Sequence, residues 1–348
     1  MWSTQGISKI LGVRIPLIQA PMAGPVTTPE LIAAVANAGG LGSLGAGYMN
    51  PNDMRNTISA IRQLTDKPFA VNLFVPENHS ASVEQLKTMQ TILTNVCQEL
   101  KIEIDVPRAP FLPAFDEQIE IIIEEKIPIC SFTFGVPSQT SIAKLKKQNI
   151  ILIGTATCLE EAKLLENSGM DIIVAQGSEA GGHRGTFARP YDEGLIGLMA
   201  LVPQLVDHIQ LPIVAAGGIM DTRGIRAAFA LGAAGVQMGT AFLACPESGV
   251  SAIFQKILLH NDKTTLTNAY SGKYVRALRN KFIENMKPYA AQILNYPIQN
   301  NMTIPLRKEA IKKENLDFIA MWSGQAAYLS QAISAAELIK KWDEELQK

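Results

Sequence analysis

The chain has 348 residues, 47% of them hydrophobic and 18% charged, enough for one barrel of about 250 residues with insertions or for two domains. A formal net charge of −1 and a pI near 6.5, with no basic patch, argue against nucleic acid as a partner. No run of about 18 apolar residues suggests a membrane span, the N-terminus lacks the basic and apolar regions of a signal peptide, and Cys97, Cys130, Cys158 and Cys245 form no CxxC pair, as expected of reduced thiols in a cytoplasmic protein.

Residues 17–22, Leu-Ile-Gln-Ala-Pro-Met, read as a first buried strand. Thr27-Thr-Pro-Glu30 carries a capping-box pattern with proline in the first turn, opening an apolar helix over 31–36 that Gly39-Gly40 stops. A second strand is expected at 41–46. Gly40-Leu-Gly-Ser-Leu-Gly45 matches GxGxxG, but the dinucleotide fingerprint needs a strand before it and a helix starting within it. This copy follows a helix and lies inside a strand, so the match is rejected. A helix over 51–64, beginning at Pro51, leads to a third strand at 69–74. An insertion follows, with a helical segment over 82–100 and then Pro107, Pro110 and Pro113.

The fourth strand, 127–134, is ended by Gly135. Helix 138–147, strand 150–154, helix 159–168 and strand 171–176 follow. Past this sixth strand lies Ala175-Gln-Gly-Ser-Glu-Ala-Gly-Gly-His-Arg-Gly-Thr-Phe187, in which glycines surround His183, one of four histidines. Glycine lets backbone approach a ligand closely, and a histidine held there can donate, accept or exchange a proton near neutral pH. A helix near 195–208, a seventh strand at 212–216 closed by Gly217-Gly218, a helix over 222–231 and an eighth strand from 235 to 239 complete the rhythm.

Eight short apolar strands, rich in β-branched residues, alternate with helices. This is the pattern of an α/β protein with a (β/α)8 TIM barrel; a doubly wound sheet is the alternative. From about 247 to 317 the rhythm breaks down into polar helices such as 273–286 and a segment punctuated by Pro297 and Pro305. The expected organisation is a barrel from 1–78, 112–246 and 318–348, with 79–111 and 247–317 forming a smaller helical lid. A long final helix over about 325–346 is expected to pack Ala332, Ile333, Ala336 and Ile339 on the barrel wall.

A barrel places its active site at the C-terminal ends of its strands. Met22, Asn72 and Gln176 fall there, and so do Gly217, Gly218, Gln237, Met238, Gly239 and Thr240. The loops after the seventh and eighth strands suit a phosphate, which needs backbone N–H groups with no Cβ in the way. Asn72, Gln176 and Gln237 could hydrogen-bond a flat heterocycle such as a flavin. No HxxH, HxxxH or HxxE pairing or Cys/His cluster suggests a metal, and no GxSxG elbow is present.

These residues resemble the class I nitronate monooxygenases, formerly grouped as 2-nitropropane dioxygenases. The resemblance is carried by Gln19-Ala-Pro-Met22 with Ala38-Gly-Gly-Leu-Gly42, Asn72-Leu-Phe-Val75, Ser131-Phe-Thr-Phe-Gly135, Gln176-Gly-Ser-Glu-Ala-Gly-Gly-His-Arg-Gly185, Ala215-Ala-Gly-Gly-Ile219 and Gln237-Met-Gly-Thr240, in order, and by the tail Trp322-Ser-Gly-Gln325. It implies FMN bound without a covalent link, with Met22, Asn72, Gln176, Gly181, Gly218 and Gln237 to Thr240 in contact with it and His183 facing the substrate. It implies oxidation of an alkyl nitronate, such as propionate 3-nitronate, by O2 to a carbonyl compound and nitrite. The partners implied are these small molecules, with no nucleic acid and no membrane; a homodimer is compatible with the sequence. FMN-dependent reductases of enoyl-acyl-carrier-protein or of quinones, using NAD(P)H, share much of this pattern and stay open as alternatives, with a non-enzymatic flavin-binding barrel the remote one.

Overall fold

The structure is a computed structural model and describes residues 6–77, 79–260 and 263–348. Residues 1–5, where a signal peptide was sought, lie outside the described residues, as do single positions of the first barrel stretch and of the second lid stretch.

Eleven strands occur in chain order: β1 (Leu17–Gln19), β2 (Gly42–Gly45), β3 (Phe69–Phe74), β4 (Ile129–Thr133), β5 (Ile151–Ala156), β6 (Ile172–Gln176), β7 (Gly182–His183), β8 (Ile213–Ala216), β9 (Gly235–Met238), β10 (Thr264–Thr267) and β11 (Val275–Leu278). Eight of them form one parallel sheet in the order β1-β9-β8-β6-β5-β4-β3-β2. A parallel bridge between Ile18 and Leu41 brings its two ends together, reinforced by Leu41 N–H to Leu17 O at 2.8 Å and Gln19 N–H to Leu41 O at 2.9 Å. Helices connect consecutive strands on the outside, so the expected α/β barrel is present. Most elements lie within a residue or two of the expected bounds, and helix Pro51–Leu64 matches at both ends because Asn50 caps it, accepting from Asp53 N–H at 2.9 Å, and proline opens it.

Strand alternation sorts the core into two faces. Val71, Leu73, Cys130, Phe132, Ile173, Ala175, Val236 and Met238 face the helical shell. Ile18, Ala70, Ile129, Ile153, Ile172, Val174 and Val214 face the barrel axis, where they pack with Ile7 and Leu11. Those two residues come from a short helix, Ile7–Leu11, that plugs the N-terminal end of the barrel and was not expected from the sequence.

Four expectations are corrected. The cap of helix Pro29–Asn37 is Thr28, which accepts from Leu31 N–H at 3.0 Å. Thr27, the first residue of the capping-box pattern, instead accepts from Gly45 N–H at 3.1 Å and so ties the end of β2. Residues 273–286 are not one helix: β11 comes first, and a helix, Lys281–Met286, follows only after Asn280 caps it. β11 pairs antiparallel with both β10 and β7, so the segment expected to be helical contributes two strands to a three-stranded sheet that includes His183. The final helix is Ala335–Gln347, started by a capping box between Ser334 and Glu337. Its buried face is Ala335, Leu338, Ile339, Trp342 and Leu346, whereas Ala332 and Ala336 are exposed. Ser334 starts the helix about three turns later than expected, and this resets which residues meet the barrel.

A second apolar core packs Met89, Leu93 and Leu100 against Phe254, Tyr270, Phe282, Met302 and Phe318. Among the described residues, no helix is long and apolar enough to cross a membrane. All four cysteines are buried and unpaired.

Candidate active site

The inward positions change character toward the C-terminal ends of the strands. Ala70 and Ile129 lie deep; two residues further, on the same faces, come Asn72 and Ser131. Asn72 is buried and donates to Ser131 Oγ at 2.9 Å and Thr133 Oγ1 at 3.2 Å. Its Oδ1 accepts no bond among the described residues and is available to a ligand. Gln237 follows the same inward rule, between the outward Val236 and Met238. Met238 therefore offers a ligand only its backbone. Met22 sits beside Gly239: a Cβ added there would lie 3.6 Å from Met22 Sδ.

Gln176 closes β6 and turns both ends of its amide to the following loop. Its Nε2 donates to His183 O at 3.0 Å, and its Oε1 accepts from Gly185 N–H at 2.8 Å. Arg184 is buried and donates to the carbonyl oxygens of Gly177 at 2.6 Å, Gln176 at 3.1 Å and Gly194 at 2.8 Å. Burial pushes its guanidinium down to about 10. Glu161, also buried, accepts from Phe187 N–H at 2.6 Å and Ala188 N–H at 3.1 Å, fixing the far end. The loop is thus a rigid frame built from one buried cation, one buried carboxylate and one amide.

His183 is held in that frame and by β11. β7 pairs His183 with Val275, and Arg184 N–H donates to Tyr274 O at 2.8 Å. Its Nε2 lies 2.9 Å from Ser271 Oγ. The Ser271 hydroxyl donates to Lys273 O at 2.9 Å, so its oxygen is left to accept from His183 Nε2–H, and Nδ1 carries the free lone pair. The rings of Phe134, Tyr296 and Trp322 surround the imidazole, with centroids 5.7, 6.0 and 5.9 Å away. Burial first, then the charges of Lys273 and Arg307, push its pKa down to about 3. The imidazole is therefore neutral near pH 7.

The loops after β8 and β9 form a glycine cradle. Gly217 and Gly218 have φ of 125° and 67°, conformations that favour glycine. The amides of Gly217, Gly218 and Gly239 find no acceptor among the described residues. An anionic phosphate fits such a set of donors, and the inward amides of Asn72 and Gln237 suit the polar edge of a flavin ring. The tail motif closes over the cradle. Gly324 N–H donates to Thr240 Oγ1 at 3.0 Å, and Gln325 N–H donates to Glu179 O at 3.0 Å. A Cβ on Gly181 would lie 2.5 Å from Gly324 N, so only glycine admits the tail there.

The residues expected from the sequence thus gather at one mouth. Ser271, Lys273, Tyr296 and Arg307 were missed because they lie in the segment without a βα rhythm. Ala269-Tyr-Ser-Gly-Lys-Tyr-Val275, a Ser-Gly turn before a β-branched strand, marks Ser271 and Lys273 as turn residues but not as neighbours of His183, and nothing local marks Tyr296 or Arg307.

Comparison with known proteins agrees with this geometry. The family model for nitronate monooxygenase matches residues 5–345. A probable nitronate monooxygenase of Staphylococcus saprophyticus is 48% identical over 338 residues, covering 96% of this chain and 95% of its own. One from Staphylococcus aureus strain Newman is 45% identical over 333 residues, covering 95% and 94%. Among solved structures, nitroalkane oxidase from Streptomyces ansochromogenes superposes with a TM-score of 0.89 at 36% identity, covering 96% of this chain and 97% of its own. FabK from Thermotoga maritima superposes with a TM-score of 0.75 at 29% identity, covering 98% and 96%.

Proposed function

The chain belongs to the nitronate monooxygenase family, and on that premise we propose that it oxidises alkyl nitronates with O2 to carbonyl compounds and nitrite, using FMN. The observation that carries this reading is a neutral His183, held by a lid strand over the same barrel mouth that ends in the glycine cradle. The family is flavin-dependent. FMN is the form that a phosphate cradle without a dinucleotide fingerprint accommodates.

Gly217, Gly218, Gly239 and Thr240 would hold the phosphate; Asn72 and Gln237 would meet the ring edge. Met22, Gly181 and the backbone of Met238 would line the approach, with Gln176 fixing the loop. When bound, FMN supplies the electron transfer between nitronate and oxygen. The protein's part is positional. His183 Nδ1 accepts a proton from the carbon of a neutral nitroalkane, and the Nδ1–H so formed donates to an oxygen of the nitronate. Phe134, Tyr296 and Trp322 exclude water around it. Stretches 79–111 and 247–317 act as the substrate lid.

The purified protein is expected to be yellow and to release intact FMN on denaturation. Mixed anaerobically with propionate 3-nitronate, its flavin spectrum changes without NADH, and admitting O2 yields nitrite. Bleaching by NADH alone, with no response to nitronate, would replace this reading with a reductase of quinones or enoyl thioesters, an outcome in keeping with the likeness to FabK.

A further inference from the structure

The nitronate head is a planar anion, whereas the parent nitroalkane has nearly the same shape and no net charge. A neutral imidazole with its lone pair on Nδ1 can take the carbon proton of the second, but it offers the first neither a donor nor a matching charge. Two cations face His183. Arg307 is occupied by its own helix, donating to Asn300 O at 3.0 Å and Asn300 Oδ1 at 2.9 Å. Lys273 is placed differently. It follows Ser271 by two residues, so the turn that holds His183 also delivers the ammonium. Its Nζ lies 4.7 Å from the centroid of Phe134, a ring in the wall around His183. It also lines a cavity of about 280 Å³ with Glu77, Arg184, Phe187, Tyr191 and Tyr274.

We infer that Lys273 recognises the negative charge of the substrate and so sets a preference for nitronates over neutral nitroalkanes; this rests on the functional reading above. Its resting partner is Glu77, on the loop after β3. That carboxylate also contacts His79 Nε2 at 3.0 Å. The Glu77 side chain is 28% exposed and that of Lys273 only 14%. Glu77 can therefore turn to water and keep a partner, while the ammonium stays confined over Phe134. An arriving anion takes the place of Glu77 on an otherwise buried cation, an exchange that a neutral nitroalkane cannot drive.

The test uses the flavin-loaded protein. Lys273→Met keeps the aliphatic stem on Phe134 and removes the charge. KM for preformed propionate 3-nitronate is expected to rise roughly tenfold to a hundredfold, the scale of one charge-assisted hydrogen bond. The loss in kcat/KM for the neutral nitroalkane should be clearly smaller than the loss for the nitronate. Calorimetry with nitrate, a planar anion that does not react, should show binding to the wild type, none to Lys273→Met, recovery in Lys273→Arg and tighter binding in Glu77→Gln. Equal losses on nitronate and nitroalkane, or nitrate binding intact in Lys273→Met, would overturn the inference. A wild type that binds nitrate through Lys273 yet turns over no nitronate would instead remove the functional reading and leave the anion site standing.

Discussion

His183 needs no carboxylate partner, because Ser271 fixes its tautomer and burial, helped by two cations, keeps it neutral. His183→Ala should leave FMN bound, since phosphate and ring contacts come from other residues. Turnover should fall on the order of 10²-fold with a neutral nitroalkane, the scale of a positioned base, and less with a preformed nitronate, whose carbon proton is already gone. Equal turnover of wild type and variant on both substrates would remove His183 from the mechanism. The depressed pKa has two further consequences. The nitroalkane pH profile should show no histidine limb near the ordinary value of about 6.5, because the native imidazole holds no proton down to about 3. For stability the sign is also set. Between those two values the unfolded chain binds a proton that the native chain does not, so His183 contributes destabilisation as pH falls through about 6.5. Urea titrations of wild type and His183→Asn should diverge below that pH, with the variant losing less. Of the residues in this paragraph only His183 was legible in the sequence, because glycines and a preceding strand mark it. Ser271 and Lys273 reach it through a strand pairing between residues 183 and 275, and no local pattern encodes so distant a contact.

At the level of strands and loops, alternation made the mouth readable. Once β3, β6 and β9 are recognised, the inward sides of Asn72, Gln176 and Gln237 follow, and so does the outward side of Met238. The role of Gln176 did not follow, since its amide partners are backbone groups of the next loop. The glycines after β8 were expected to approach a phosphate, and the positive φ of Gly218 gives a separate, conformational reason for glycine there. Gly218→Val would force a branched residue into that conformation, with its Cβ about 3.2 Å from Glu179 Cβ. FMN affinity should fall by well over tenfold in equilibrium dialysis while circular dichroism still reports a folded barrel; unchanged FMN retention would place the phosphate elsewhere. Arg184 is the stronger test of the loop frame. Arg184→Met leaves three carbonyl oxygens without their donor, which should lower the thermal midpoint and speed amide exchange over 177–187.

At the scale of the whole molecule the eightfold rhythm was legible because each βα unit repeats one short buried strand and one amphipathic helix. The end of the barrel away from the site was not. Helix Ile7–Leu11 has only five residues, too short for a periodic signal, yet Ile7 and Leu11 are buried against inward residues of four or more strands. In this fold the N-terminal face serves stability and the C-terminal face serves chemistry, and the two faces can be separated experimentally. Leu11→Ala removes most of a fully buried side chain from the plug and should cost about 2–5 kcal/mol in urea unfolding, depending on how far Ile7 and Val214 relax into the space. Well below the unfolding transition, FMN content and nitronate turnover should match the wild type, because Ile7 and Leu11 pack with the deep inward residues rather than with the polar ones at the mouth. His183→Ala should show the reverse: little change in the urea midpoint at neutral pH and a large loss of turnover. If Leu11→Ala lowered turnover in proportion to its loss of stability, packing at the barrel floor would have to reach the inward amides through Ile129 and Val174, and the independence of the two faces would fail.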